Sequence, residues 1–376
     1  MNALRTALKG APAIDRTSYR ARLFRLPADA HALEELLAGT EAVEVHDHLL
    51  GQLKELVRSL NPSVRYTPEE LESAALAHLG GTDPLQYGVW AYFPWSRRLV
   101  HLLDEPEFAL VRTDRNRNKI TREEQAVLAT KRVGVIGLSV GQSVSLTMAL
   151  ERSFGEIRLA DFDELELSNL NRIRCGVHEM GIHKVINTAR EIAELDPFLK
   201  VTCFTEGITR ANIERFLTEG GRLDVLVEEC DSVDVKIYAR QHAKALGIPV
   251  VMDTSDRGLI DVERYDLEPE RPLLHGLLEG LDLAQVERPM TNQEKLPFMG
   301  RIVGMETISK RMQESLPELG RTIVTWPQLA SGVVLGGSIV GETTRRMMLD
   351  QMRHSGRWWI DTEAHLSQTS SDIQKP

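Results

Sequence analysis

Polar and charged side chains that could bind a nucleotide are concentrated in the middle of the chain. The densest run begins at Asp161 and ends at Arg172, and Lys184 follows twelve residues later. Asp231 comes after a further apolar segment. These residues, with the amides between them, supply acids for ribose hydroxyls and Mg2+, and two cations for phosphates. Polyphosphate chemistry needs this set, because the charge on a leaving pyrophosphate must be neutralised while the attacking group is positioned.

A glycine turn precedes this run. The apolar segment Arg132–Ile136 leads into Gly137-Leu138-Ser139-Val140-Gly141. Glycines allow a nucleotide to approach the backbone, and the N–H groups that begin the following helix can bind a phosphate. Asp161 lies 20 residues after Gly141, where an acid can accept ribose hydroxyls. The G-x-G-x-x-G spacing is not present, so the turn by itself is equally compatible with a tight connection that binds no ligand.

The elements that must position these residues alternate between strand and helix patterns. Strands are predicted at Arg132–Ile136, Glu156–Asp161, Leu199–Phe204, Leu223–Glu228 and Ile248–Met252, and helices at Gly141–Arg152, His183–Leu195, Ala211–Leu217 and Val233–Leu246. Such alternation predicts an α/β fold with a doubly wound, Rossmann-like, mostly parallel sheet. Ligands of these sheets bind at the carboxyl ends of the strands. The polar residues described above all follow strands or begin helices, so we expect them to converge.

Three domains or parts are predicted along the chain. Residues 1–110, with helical patterns at His48–Ser59 and Pro68–His78, form an N-terminal accessory α+β domain. Residues 111–262 form the nucleotide-binding domain, whose first helix would begin with a capping box at Thr121 and Glu124. Residues 263–376 form a helical and extended part that completes this domain. It contains a long helical pattern at Gly332–Met352, and its polar tail at 367–376 is expected to be disordered.

Composition restricts the class of protein. The net charge of -10 argues against binding to nucleic acid or to an anionic membrane surface. The N-terminal residues lack the apolar segment of a signal peptide, and no segment reaches the length of a spanning helix. Three widely spaced cysteines, Cys175, Cys203 and Cys230, form no C-x-x-C pair, which excludes a four-thiolate zinc site and a disulfide framework. We therefore expect a cytoplasmic protein.

Residues 114–261 resemble the ThiF/MoeB/HesA family, relatives of the ubiquitin-activating enzymes. The resemblance is carried by Val133–Ser143, Asp161-x-Asp163, Ser168-Asn169-Leu170-Asn171-Arg172, Gly181-x-x-Lys184 and Cys230-Asp231. It implies an adenylyltransferase that uses ATP and Mg2+ to convert a carboxylate to an acyl-adenylate. The implied partners are a carboxylate-bearing substrate, such as a peptide or a small carrier protein, and a second copy of the chain in a homodimer.

The resemblance also implies roles for individual residues. Asp161 would bind the ribose, Lys184 the β- and γ-phosphates, and Asp231 the Mg2+. Asn169 and Arg172 would contact phosphates. The remainder of the ATP site would be formed by Gly137, Ser139, Gly141 and Asp163.

One further role in the family belongs to an arginine that reaches the ATP of the partner subunit. The segment from Asp114 to Ile120 resembles the family's arginine-bearing entry segment. Arg117 is the residue assigned to this role, and Arg115 is the alternative, because the register of the match is fixed only to within one residue.

Three departures from the family pattern keep alternatives open. The glycine loop is one residue shorter, with Ser139 where glycine is usual, and Ile173 stands where glutamine is common. No cysteine follows Cys230, whereas relatives that form a thioester carry one later in the chain. The reaction is therefore expected to stop at the adenylate or to pass the acyl group to another nucleophile. A non-catalytic ThiF-like scaffold and an NAD-dependent oxidoreductase remain alternatives, because one fold can serve several functions.

Overall fold

The computed structural model describes residues 3–6, 14–39, 42–283, 285 and 292–367. The tail expected to be disordered lies outside the described residues except for Ser367. The chain divides into two compact units. One comprises residues 1–119 with 196–198, and the other comprises residues 120–195 with 199–376. Among the described residues, no helix is both long enough and apolar enough to cross a membrane.

The N-terminal unit contains a four-stranded sheet with helices. Its elements are β1 (Arg22–Phe24), α1 (Ala30–Leu37), β2 (Glu44–Asp47), α2 (Leu49–Leu60), α3 (Pro68–His78), β3 (Val89–Phe93), β4 (Arg98–Leu102) and α4 (Glu105–Arg112). The strand order is β1-β3-β4-β2, in which only β2 and β4 are parallel. Helix α3 begins where the sequence predicts, because Thr67 and Glu70 form a reciprocal capping box.

The larger unit contains the strand–helix alternation. Its elements are α5 (Arg122–Leu128), β5 (Arg132–Ile136), α6 (Gly141–Glu151), β6 (Glu156–Ala160), α7 (Lys184–Leu195), β7 (Lys200–Phe204), α8 (Ile213–Thr218), β8 (Val225–Glu228), α9 (Val233–Ala245), β9 (Val250–Thr254), β10 (Leu259–Glu263), α10 (Asn292–Val303), α11 (Lys310–Ser315), α12 (Ala330–Met348), β11 (Gly356–Trp359) and α13 (Thr362–Leu366).

These strands form one seven-stranded sheet in the order β11-β10-β9-β8-β5-β6-β7. The five strands from β5 to β9 are parallel, and β10 and β11 add antiparallel strands at one edge. This arrangement confirms the predicted doubly wound α/β fold. The chain moves outward from β5 through β6 to β7, and then returns to β8 on the other side of β5. The strand order reverses there, which places the ligand crevice outside the carboxyl ends of β5 and β8.

Burial explains which residues form the central layer. All residues of β6 and β8 are buried, as are four of the five residues of β5. The capping box at Thr121 and Glu124 that the sequence predicts is present at the start of α5. The helix predicted at Ala211–Leu217 begins two residues later, at Ile213, because the side chain of Asn212 accepts a hydrogen bond from the Thr209 amide and holds the preceding turn.

The glycine-rich helix α12 packs against α6 and β9 rather than standing apart as an extension. A side chain at Gly337 would collide with Ser143 on α6, so the two helix backbones approach closely. The helix predicted at Gly332–Met352 is thus present with shifted ends, at Ala330–Met348.

Candidate functional site

The glycine turn after β5 lies directly against the backbone that follows β8. Gly137 has a φ of 86°, a conformation that favours glycine. A Cβ atom at this position would lie 2.7 Å from the backbone nitrogen of Cys230 and 2.8 Å from the carbonyl oxygen of Glu229. The turn therefore closes the base of the crevice between β5 and β8, and α6 begins at Gly141 beside it.

Asp161, at the end of β6, fastens the turn to the next loop. Its Oδ2 accepts a hydrogen bond from the Leu138 amide at 2.6 Å, and its Oδ1 accepts one from the Asp163 amide at 2.8 Å. Burial raises the pKa of this carboxyl, while the charge of Lys184 acts in the opposite direction. Each carboxylate oxygen can accept a second hydrogen bond, so the group can hold the turn and still receive ribose hydroxyls.

Lys184 is the first residue of α7, and its ammonium group is buried. Its Nζ donates to Asp163 Oδ2 at 2.7 Å, and its backbone nitrogen donates to the Asp163 carbonyl. The Asp163 side chain is half exposed, whereas that of Lys184 is 7% exposed. The ammonium of Lys184 is already buried, so binding an anionic ligand in place of Asp163 would not require it to lose a hydration shell.

Arg172 contacts the glycine turn through Ser139 and has an unsatisfied donor. One terminal nitrogen donates to the Ser139 hydroxyl at 3.4 Å and the other to Asn171 Oδ1 at 2.9 Å. Its Nε is buried and has no hydrogen-bond acceptor among the described residues. Burial lowers the pKa of Arg172, and the charge of Asp231 counteracts this. Buried donors without acceptors are uncommon in native proteins, so the geometry fits an anionic ligand.

Asn169 contributes less to the open site than the sequence suggests. Its side chain is buried, and its Oδ1 accepts a hydrogen bond from the Glu166 amide within the short helical turn Leu167–Asn171. The amide oxygen therefore stabilises the turn that carries Arg172. Only the amide nitrogen remains as the group that would contact a phosphate.

Asp231 lies in the exposed loop between β8 and α9. Among the described residues, no group of three or more His, Cys, Asp or Glu side chains could hold a metal ion. Mg2+ is commonly held by one or two carboxylates together with substrate phosphates, so the chemistry of a lone Asp231 fits this mode of binding.

Arg117 belongs to the N-terminal unit, where its guanidinium pairs with Asp114 at 3.2 Å. Its role towards the ATP of a partner subunit stays a prediction. Arg115 stays the alternative.

The structure also brings together two buried acids, Glu229 and Asp253, that the sequence analysis does not include among the site residues. Glu229 follows β8, and its carboxylate oxygens accept hydrogen bonds from the backbone nitrogen of Asp253 at 3.1 and 3.3 Å. Both side chains are buried, and a side chain at Gly336 of α12 would collide with the carboxyl of Asp253. Burial, together with the neighbouring carboxyl, raises the pKa of Glu229 well above its usual value. The consecutive acids Glu228-Glu229 after an apolar strand were the available signal.

These features define a class: an α/β domain with a glycine turn after β5, and with the buried carboxyl of Asp161 and the cations of Arg172 and Lys184 in the connection that follows β6. Comparison with known proteins gives the family. The ThiF family model matches residues 113–275, and this part of the chain is a ThiF family domain.

Alignments with individual proteins cover more of the chain than the segment matched by the family model. The chain is 47% identical over 277 residues to "Uncharacterized protein MT1398" of Mycobacterium tuberculosis, covering 74% of this chain and 38% of that protein. It is 26% identical over 229 residues to tRNA threonylcarbamoyladenosine dehydratase 2 of Saccharomyces cerevisiae, covering 53% and 51%. The chain thus spans about half or less of these relatives. Among solved structures, E. coli TcdA in complex with ATP aligns with a TM-score of 0.47 and 16% identity, covering 64% of this chain and 94% of TcdA.

Proposed function

We propose that this protein is an ATP-dependent adenylyltransferase that activates a carboxylate as an acyl-adenylate. The observation that carries the proposal is the buried, acceptor-free Nε of Arg172, which, like the buried ammonium of Lys184, belongs to the connection between β6 and β7. A buried ammonium and a guanidinium with an unpaired buried Nε are suited to a polyphosphate. A nicotinamide dinucleotide would use the turn and Asp161 but would not need both cations together with Asp231.

In the proposed reaction, a carboxylate oxygen of the substrate attacks the α-phosphorus of ATP, and the bond from that phosphorus to the bridging oxygen of pyrophosphate breaks. No general base is needed, because a carboxylate is already ionised at neutral pH. Lys184 and Arg172 would neutralise the charge that develops on the departing pyrophosphate, and Asp161 would hold the ribose. Mg2+ on Asp231 would supply further charge neutralisation on the phosphates. The protein's contribution is therefore positioning and electrostatic stabilisation.

The substrate class follows from the reaction and from the names of relatives. Ubiquitin-like modifier-activating enzyme 5 of Drosophila willistoni is 33% identical over 89 residues, which cover 23% of this chain. A peptide or protein carboxylate is accordingly the substrate that we propose. The absence of a cysteine after Cys230 means that this chain offers no later thiol of its own for the acyl group.

The test is calorimetric titration of ATP with Mg2+ into the wild type and the Asp231→Ala variant. We expect the wild type to bind and the variant to bind about tenfold or more weakly, the loss of one charge-assisted contact. Glu214→Ala, which removes an exposed carboxylate on α8, is the matched control and should bind like the wild type.

Each outcome of this titration decides a separate point. Absence of ATP binding by the wild type would contradict the adenylation proposal, and binding of NAD instead would favour an oxidoreductase. Unchanged binding by Asp231→Ala would show that this acid does not hold the metal.

A further inference from the structure

Gln142, the second residue of α6, makes an unusual contact with the segment that carries Arg172. Its side chain is 2% exposed. Its Nε2 donates to the carbonyl oxygen of Arg174 at 2.8 Å, and its Oε1 accepts from the backbone nitrogen of Arg174 at 2.7 Å. One side-chain amide thus satisfies both backbone groups of a single residue, as a neighbouring strand would.

The contact matters because few other hydrogen bonds among the described residues join the backbone of this segment to α6 or α7. The short turn Leu167–Asn171 ends just before Arg172, and the next short helical turn begins only at Val177. Arg172 and Ile173 donate their backbone amides to the Asn169 carbonyl, which fixes them to their own turn but not to the glycine turn. Gln142 lies one residue after Gly141 and connects the segment directly to the helix that begins there.

The environment of Gln142 keeps its amide in one orientation. Its Nε2 also lies 3.3 Å from Glu191 Oε1 on α7, and Asn187 Nδ2 donates to the same oxygen at 3.0 Å. Asn187 makes a longer contact, 3.3 Å, with the Arg174 carbonyl. Both donors of the Gln142 amide and its acceptor therefore have partners. A flipped amide would put its oxygen against the carbonyl oxygen of Arg174 and the carboxylate of Glu191.

We propose that Gln142 is a positioning residue, which holds the backbone at Arg174 so that the guanidinium of Arg172 stays over the glycine turn. Among the described residues, the guanidinium itself has a 3.4 Å contact with Ser139 and otherwise bonds within its own turn. The position of Arg172 relative to the phosphates thus depends on its backbone. The effect of Gln142 on ATP binding rests on the proposed function, whereas the two hydrogen bonds between Gln142 and the backbone of Arg174 can be tested without a ligand.

The first test is hydrogen exchange of the full chain without ligand, comparing the wild type with Gln142→Leu. We expect the amides of residues 172–176 to exchange about tenfold or more faster in the variant, while those of β5 are unchanged, because one buried hydrogen bond contributes about that factor. Gln125→Leu is the matched control, since Gln125 also donates its side-chain amide to a backbone carbonyl, that of Arg152, at 2.6 Å. It should leave 172–176 protected. Unchanged exchange in Gln142→Leu would overturn the inference whatever the protein binds.

The second test is a double-mutant cycle with ATP and Mg2+ as the probe. Gln142→Leu should weaken ATP binding, and adding it to Arg172→Ala should weaken binding no further, because the glutamine acts through the arginine. Additive losses would overturn the positioning role, and Gln125→Leu should have no effect in either background. If the wild type binds no ATP while hydrogen exchange responds as expected, the proposed function is wrong, but the inference that Gln142 holds the backbone at Arg174 is supported. Should Gln142→Leu fail to fold, Gln142→Met keeps the length of the side chain but removes the amide donors and the amide acceptor, and the same outcomes apply.

Discussion

The buried pair Glu229 and Asp253 should make the stability of this protein unusually sensitive to pH near neutrality. Two neighbouring carboxyl groups that are both buried resist ionising together, so one of them should hold a proton in the folded state. The pKa of Asp253 is raised by burial to about 6, and that of Glu229 is raised well above its usual value of 4.5. The substitution Glu229→Gln removes the titratable carboxyl of Glu229 and leaves the other charged groups around it in place. The new amide can accept from the Asp253 backbone and donate to the Asp253 carboxylate without taking up a proton.

The sign and size of the effect follow from proton linkage. A carboxyl whose pKa is higher in the folded than in the unfolded state contributes its stability fully below the unfolded pKa. It loses that stability as the pH rises through the folded pKa. Between pH 6 and 7.5, wherever Glu229 keeps its proton in the folded state, the folded wild type should bind one proton more than the unfolded chain. At about 1.4 kcal/mol per pH unit, this lowers the free energy of unfolding by at most about 2 kcal/mol over the range.

The assay is urea unfolding of both proteins at pH 6 and pH 7.5, followed by a spectroscopic signal from the larger unit. The free energy of unfolding should fall with rising pH more steeply in the wild type than in Glu229→Gln, by at most about 2 kcal/mol between the two pH values. Glu214→Gln, on the exposed face of α8, should follow the wild type. Lys236 and Glu228, the other charged groups that act on Glu229, are present in all three proteins. Parallel pH profiles for the wild type and Glu229→Gln would refute the reasoning, since they would show that the pair carries no extra proton.

Two predictions concern the cations of the nucleotide site. Lys184→Met should weaken ATP binding about tenfold or more and leave AMP binding within about twofold, because the ammonium is assigned to the β- and γ-phosphates. Equal losses for ATP and AMP, measured by calorimetry, would contradict that assignment. Arg117→Ala should weaken ATP binding about tenfold in a protein that stays dimeric in sedimentation, whereas Arg115→Ala should not. A monomeric wild type, or a loss confined to Arg115→Ala, would contradict the assigned arginine.

The sequence predicts the fold more completely than it predicts the contacts of the site residues. Strands β5 and β8 are recognisable because short apolar segments between helical patterns must be buried on both faces of a parallel sheet. The order of strands then places Asp161, Lys184 and Asp231 at one edge, which sequence alone supports through the connection rules of such sheets. The division of the chain at residues 110 and 262 stays a prediction, as does the role of each site residue.

The amino-acid sequence by itself determined the doubly wound fold, the family resemblance and the positions from which polar groups enter the crevice. These properties depend on local patterns, on periodicity and on a motif of adjacent residues. Only the tertiary structure decided that Asn169 uses its oxygen inside its own turn, that Gln142 binds the backbone of Arg174, and that Glu229 meets Asp253. The physical reason is that a side-chain amide or carboxyl can satisfy its hydrogen bonds in several ways. The choice depends on which backbone groups the packed sheet and helices leave within 3 Å of it, roughly the length of a hydrogen bond.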